Sequence, residues 1–271
     1  MTDITHKTNY CIINKNASTL IRSILCYLKK PYLFKEVPSD KRWTHNFCSN
    51  ESEVNFGMKS VLDKFDDNER FFKDYAMVAI IRDPVERFVS GFIDKCIVEK
   101  SYIKRIGSCD GCKEDIRCVV ERIYKKYVSY GNETNIPKLT YTDNHWLPST
   151  WSCDFKKYKK LYTIINFSHT PRKVIEFRRH LIKFLKNRGV GSSKLRTIQE
   201  QILKNETKHS TYVKLEKTRK KLMKSLIKDE RMVYLLYKIY YYDFKELGIQ
   251  IPKWLKRIEY LKKIPPSSFN F

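Results

Sequence analysis

Apolar residues in this chain gather into short unbroken runs, each followed by a stripe at helical spacing. Met77 to Ile81 in "MVAIIRDPVERFVSGFIDK" is an unalternating apolar run, which reads as a strand buried on both faces. Asp83 then serves as an N-cap and Pro84 suits the first helical position, where a missing N–H costs nothing. Val85, Phe88, Val89, Phe92 and Cys96 form one helical face, with Ser90 off that face. The same plan occurs twice more. "YCIIN" predicts a strand from Tyr10 to Asn14, and Leu20, Ile21, Ile24, Leu25 and Leu28 mark the buried side of a helix from Ser18. "LYTIINF" predicts a third strand, followed by a helix from Pro171 to Gly189.

Further helices are expected over 54–65, over "EDIRCVVERIYKKYVSYG" to Gly131, and as a tyrosine-faced pair from Lys214 to Leu247. Residues 31–53 and 100–112 read as loop, and 190–210 as loop with a short helical piece. The stretch "NETNIPKLTYTDNHWLPSTWSCD" is long and irregular, which in a compact domain marks function. Strands alternating with helices predict an α/β fold with a parallel sheet flanked by helices. At 271 residues, one domain spanning 1–271 is the expectation.

Charge changes the picture. Fifty-four Lys and Arg against thirty Asp and Glu leave a formal charge of +24, which implies polyanionic partners. No zinc or RNP signature and no dense basic helix is present, so a nucleic-acid polymer is not the expected partner. Runs such as "KKYKK", "RKVIEFRRH" and "KTRKKLMK" are each a solvated helix face, and only their sum argues for a polyanion. Eight cysteines, with sequons at Asn16, Asn50, Asn132, Asn166 and Asn205, lean towards a secretory compartment. Asn16 and Asn166 lie where folding is expected to hide them. Residues 1–30 hold no apolar run long enough for a signal peptide or anchor, so membrane association is expected only through an anchor outside this chain. Cys109 and Cys112 in "CDGC", with Cys118 and Cys153, suit disulfides better than zinc, because matching ligands are missing. Cys11 and Cys26 read as buried thiols in core positions.

Candidate chemistry begins at "INKNASTL". A strand, a polar turn and a helix opening on Ser-Thr is the layout of an anion cradle, with Lys15 neutralising charge and hydroxyls adding hydrogen bonds. It lacks the glycines and the adjoining Lys-Ser of a GxxxxGK[ST] loop, which argues against an ATP-dependent kinase. Arg82 stands at a second strand-to-helix junction, and in a parallel sheet such ends share one edge. Two anion sites on one crevice suit a nucleotide with phosphates at both ends.

These stretches carry a resemblance. "CIINKNASTLIRSILCYL", "AIIRDPVERFVSGFIDKC", "NHWLPSTWSCDF" and "YTIINFS" together resemble the Golgi carbohydrate sulfotransferases, closest to the chondroitin and dermatan group and its nematode-type members. The resemblance covers about residues 10–251, and its most specific part is R-D-P-x-E-R-x-x-S, ending at Ser90. It implies a P-loop-like sulfotransferase fold, a Golgi-lumenal glycoprotein, PAPS as co-substrate with PAP as product, no metal, and an anionic glycan acceptor such as chondroitin. Lys15, Asn16, Ala17, Ser18 and Thr19 would hold the 5′-phosphosulfate, and Arg82 and Ser90 the 3′-phosphate. Asn16-Ala17 departs from the bulkier residues of vertebrate relatives.

Sulfuryl transfer needs a base for the acceptor hydroxyl and positive charge at the transferring group. The resemblance gives Lys15 the second role and makes His45 in "RWTHNF" the candidate base. His145 in "DNHW" is the second candidate, and with Trp146 it is expected to shape the acceptor side. His209 is a weaker carry-over on the cofactor side. The rival reading is a non-catalytic polyanion-binding protein that keeps a degenerate form of this fold.

Overall fold

The computed structural model describes residues 1–38, 42–43, 58–65, 67–129, 139–168, 170–204 and 215–256. The strands are β1 (Thr2–Asp3), β2 (Thr8–Cys11), β3 (Ala76–Arg82) and β4 (Tyr162–Phe167). Among the described residues, α-helices longer than one turn are α1 (Ser18–Lys29), α2 (Pro31–Glu36), α3 (Asn68–Asp74), α4 (Pro84–Phe92), α5 (Ile116–Ser129), α6 (Pro171–Asn187), α7 (Ser192–Lys204), α8 (Glu216–Lys228) and α9 (Glu230–Glu246). The chain divides into two compact units. One holds Met1–Arg82 with Ser149–Ser210, the other Asp83–Pro148 with Thr211–Phe271.

The first unit contains the sheet, in the order β1-β2-β3-β4. β2, β3 and β4 are parallel, with Cys11 beside Ala79 and Ala79 beside Ile164, whereas the short β1 pairs antiparallel to β2. β3 lies between two neighbours, and Val78, Ala79 and Ile81 are fully buried, which is why its sequence does not alternate. β4 has a neighbour on one side among the described strands, and Thr163 and Asn166 are exposed along it. Helix α1 buries Ile21, Ile24, Leu25 and Leu28 in a core shared with Tyr10, Val78, Ile80, Ile165 and the α6 residues Phe177, Leu181 and Leu185. A disulfide joins Cys11, at the end of β2, to Cys153, ahead of β4.

The second unit is helical. α4 continues into a π-helical turn over Ile93–Val98, and α9 packs on α4, α5 and α8. Val85, Phe88, Val89, Phe92, Val119, Val120, Ile123, Leu236 and Tyr240 are among its buried residues. Disulfides join Cys96 to Cys109 and Cys112 to Cys118.

Several expectations are corrected. Residues 190–210 contain α7, a helix of 13 residues, because Leu195, Ile198 and Ile202 give it a buried stripe. The helix expected over 54–65 appears, among described residues, as Lys59–Leu62, and α3 follows it under an Asp67 cap that accepts from the Arg70 N–H. Cys11 and Cys26 are not buried thiols: both are disulfide-bonded. Asn166 is exposed, not hidden, while Asn16 is buried as expected. No described helix is long and apolar enough to cross a membrane.

Candidate functional site

The first element of the site is the β2–α1 turn. Lys15 and Ala17 both take left-handed backbone angles, with φ of 67° and 56°. A non-glycine residue in that region costs about 1 kcal/mol or more, a strain that collects at functional loops. Ala17 occupies the N-cap position without a side-chain cap, and the helix ladder begins with the Ile21 N–H donating to the Ala17 carbonyl at 3.0 Å. Helix geometry therefore leaves the N–H groups of Ser18, Thr19 and Leu20 without carbonyls inside α1. No acidic residue stands in the first turn to compete for them. Arg22, one turn further on, is half-buried, and burial lowers its pKa.

Asn16 is 1% exposed and reaches across to the neighbouring strand, its Nδ2 donating to the Ile80 carbonyl at 3.0 Å. Two residues beyond Ile80, Arg82 ends β3 with its side chain buried and its guanidinium 5.9 Å from the centre of the Phe167 ring in β4. The turn and Arg82 thus share the C-terminal edge of the parallel strands. The donor set there consists of helix N–H groups, Lys15, the hydroxyls of Ser18 and Thr19, and a guanidinium. That set fits an anionic phosphosulfate.

The second unit holds Ser90, His145 and Trp146. Asp83 caps α4, accepting from the Glu86 N–H at 2.8 Å, and Pro84 takes the first position as the sequence predicts. Ser90, off the apolar stripe as expected, is nonetheless buried at 6% exposure, because α4 is enclosed on nearly all sides. Arg87, buried on the same helix, donates through Nη1 to the His145 carbonyl at 3.4 Å and through Nη2 to the Leu147 carbonyl. A Cβ on Gly91 would lie 3.0 Å from the His145 carbonyl oxygen, so glycine is what lets this segment approach α4. Ser90 sits between these two contacts.

His145 Nδ1 lies 3.3 Å from the Tyr141 carbonyl. A carbonyl there requires that nitrogen to carry the proton, which makes Nε2 the accepting nitrogen of the neutral ring. Trp146 is fully buried, 5.9 Å from Phe88, and its carbonyl accepts from the Tyr240 hydroxyl at 2.6 Å. The indole is thus packed among protein side chains, and its carbonyl is held by Tyr240.

The segment is pinned from below by a buried charge network. Lys126 donates to both Asp143 oxygens at 2.9 Å and pairs with Asp110. Asp143, fully buried, also accepts from Tyr127 at 2.9 Å and from the Thr140 hydroxyl at 2.8 Å. Burial alone would lower the Lys126 pKa, but Asp110 and Asp143 outweigh it and raise it. His45 and His209 lie outside the described residues.

The sulfotransferase family pattern matches residues 1–248. The chain belongs to the sulfotransferase family. Carbohydrate sulfotransferase chst-1 of Caenorhabditis elegans is 30% identical over 241 residues, covering 88% of this chain and 71% of that protein. A second protein of the same organism, named "Putative sulfotransferase vep-2", is 31% identical over 211 residues, covering 76% of this chain and 63% of its own. No solved structure matches the chain. This sulfotransferase is accordingly a transferase, with the α/β architecture expected from its strand and helix pattern.

Arg87, Gly91, Asp143 and Asn16 as a strut were not foreseen. Arg87 carries one usable signal: it stands directly before Phe88, a residue of the apolar stripe. Nothing in the sequence distinguishes Asp143 from a loop carboxylate.

Proposed function

We propose that this sulfotransferase moves a sulfuryl group from PAPS to a hydroxyl of a carbohydrate, a glycosaminoglycan of the chondroitin type, in the Golgi lumen. The observation that carries the reading is the pairing of the strained β2–α1 turn with Arg82 on the adjacent strand, tied by Asn16. A donor with phosphate at both ends needs two anion sites at one sheet edge. PAPS, when bound, supplies the sulfuryl group and a good leaving phosphate.

In this reading Lys15 holds positive charge at the bridging oxygen and sulfonate, while the N–H groups of Ser18 and Thr19 and their hydroxyls orient the 5′ end. Arg82 takes the 3′-phosphate through its planar fork, with Ser90 as hydroxyl donor. His45 accepts the proton of the acceptor hydroxyl. His145, whose Nε2 is the accepting nitrogen, is the second candidate for that step. The disulfides at Cys11–Cys153, Cys96–Cys109 and Cys112–Cys118 support an oxidising compartment, and the charge of +24 supports a polyanionic acceptor.

The test is transfer of labelled sulfate from PAPS to a panel of unsulfated chondroitin, heparosan and neutral chitooligosaccharides. Label on chondroitin, absent for Lys15→Ala, is the expected result. Glycan retention with no label on any acceptor would favour the non-catalytic polyanion-binding protein instead.

A further inference from the structure

Within the second unit, basic and aromatic groups converge on one half-buried phenol. The guanidinium carbon of Arg105 lies 4.0 Å from the centre of the Tyr141 ring, and Lys95 Nζ lies 5.3 Å from it. The His145 ring is 5.3 Å away, centre to centre. The two cations on this ring differ in their partners. Lys95 is buried and paired with Asp94 at 3.1 Å and with Glu99. Arg105 is exposed, and no carboxylate is paired with it among the described residues.

The acids of this loop are otherwise engaged. Glu99 is taken by Lys95 and Ser101, and Glu114 by Tyr102 at 2.9 Å and Lys100 at 3.6 Å. Arg105 is thus a cation seated over an aromatic face, with no carboxylate partner among the described residues for its N–H donors.

Both chain segments that meet here are fixed. The Cys96–Cys109 disulfide closes the loop that carries Arg105. Gly107, at φ 78°, lets that loop run close to Thr140, whose Cγ2 would be 3.2 Å from an added Cβ. On the other side, Asp143 and Lys126 anchor the segment bearing Tyr141 and His145. Exposed Ile103 and Ile106 flank Arg105 and offer apolar surface of the kind that packs on the C–H face of a sugar.

We infer that Arg105, seated on Tyr141 beside His145, is the acceptor-reading cation of this protein and binds the anionic group of the sugar, a uronate carboxylate or a sulfate ester. The inference rests on the proposed glycan sulfotransfer and assigns its acceptor specificity. A guanidinium takes either group through two parallel N–H donors, and contact with the Tyr141 ring restricts its motion before the glycan arrives. Neutral glycans gain nothing from it.

The test is calorimetric binding to unsulfated chondroitin, to carboxyl-reduced chondroitin sulfate and to neutral chitooligosaccharide, with PAP binding measured in parallel. Arg105→Ala is expected to weaken at least one polyanion about tenfold, the loss of one charge-assisted bidentate contact. Arg105→Lys is expected to fall between the two, and Lys104→Ala, a neighbouring exposed cation, to stay within about twofold of wild type. Whichever polyanion loses more identifies carboxylate or sulfate as the group read. PAP affinity should not change in any of these variants. Arg105→Ala and Tyr141→Ala that both bind the polyanions like wild type would overturn the inference, as would a wild type that prefers neither polyanion over the neutral oligomer. Loss of PAP binding by wild type would instead count against the donor reading.

Discussion

The Nδ2 of Asn16 donates to the carbonyl of Ile80 at 3.0 Å, so the loop after β2 is bolted to β3 two residues ahead of Arg82. One side chain, 1% exposed, thereby sets the spacing between the loop that holds Lys15 and the end of β3 that holds Arg82. Asn16→Ala leaves the Ile80 carbonyl without that donor and frees a loop held in left-handed geometry at Lys15 and Ala17. The expected cost is about 1–3 kcal/mol in denaturant unfolding, with PAP affinity reduced about tenfold. Unchanged PAP affinity in the folded variant would show that the strut does not position the donor loop.

Gly91→Ala places a methyl group 3.0 Å from the His145 carbonyl oxygen, where the neighbour is backbone and cannot swing away. Overpacking of this kind costs about 1–3 kcal/mol. Because Ser90 and Arg87 share this stretch of α4, transfer activity should fall more than stability does. A variant with wild-type turnover would separate the His145 segment from the reaction.

Lys126→Met removes the cation that pairs with both Asp110 and Asp143, leaving buried carboxylates without that partner. Breaking a buried pair in this way costs about 3–5 kcal/mol. The pH dependence follows from the raised Lys126 pKa. A lysine whose folded-state pKa exceeds its ordinary 10.5 contributes stability that is fully present below that value. The contribution is lost only as pH rises past the folded-state pKa. Unfolding measured from pH 7 to 10 should therefore show no loss from this network, and a loss near neutrality would contradict the pairing.

How much of this was legible in advance varies by residue. Met77–Ile81, Asp83-Pro84 and the Ser18 helix start were readable because each is a local rule: an unalternating run, a cap, a proline at a first turn. Helix α7 reads in the sequence as only a short helical piece because its polar residues outnumber the Leu195, Ile198 and Ile202 stripe that buries it. The apolar stripe of α4 leaves Ser90 outside it, but its burial is a tertiary fact that helical periodicity alone does not carry. Asn16 resembled a phosphate-loop residue. Its strut role needed the register of β2 against β3, which is a tertiary fact. Cysteine pairing was beyond reach for the same reason, and Cys11 with Cys153 are 142 residues apart.

That long separation makes its own prediction. Replacing Cys11 and Cys153 together by serine releases a large loop in the unfolded chain, worth about 4–5 kcal/mol in the chain-entropy account. Chemical denaturation of the double variant should show a loss of that order, and a loss below about 1 kcal/mol would contradict it.

In the proposed donor site, the β2–α1 turn and Arg82 hold the two ends of PAP. Calorimetric titration of the full chain with PAP, beside ADP and AMP and repeated on Arg82→Ala, tests it most directly. Tight PAP binding, much weaker ADP and AMP binding, and collapse of PAP binding in the variant are expected. A folded wild-type protein that does not bind PAP, or an Arg82→Ala variant that binds it as well as wild type, would contradict it.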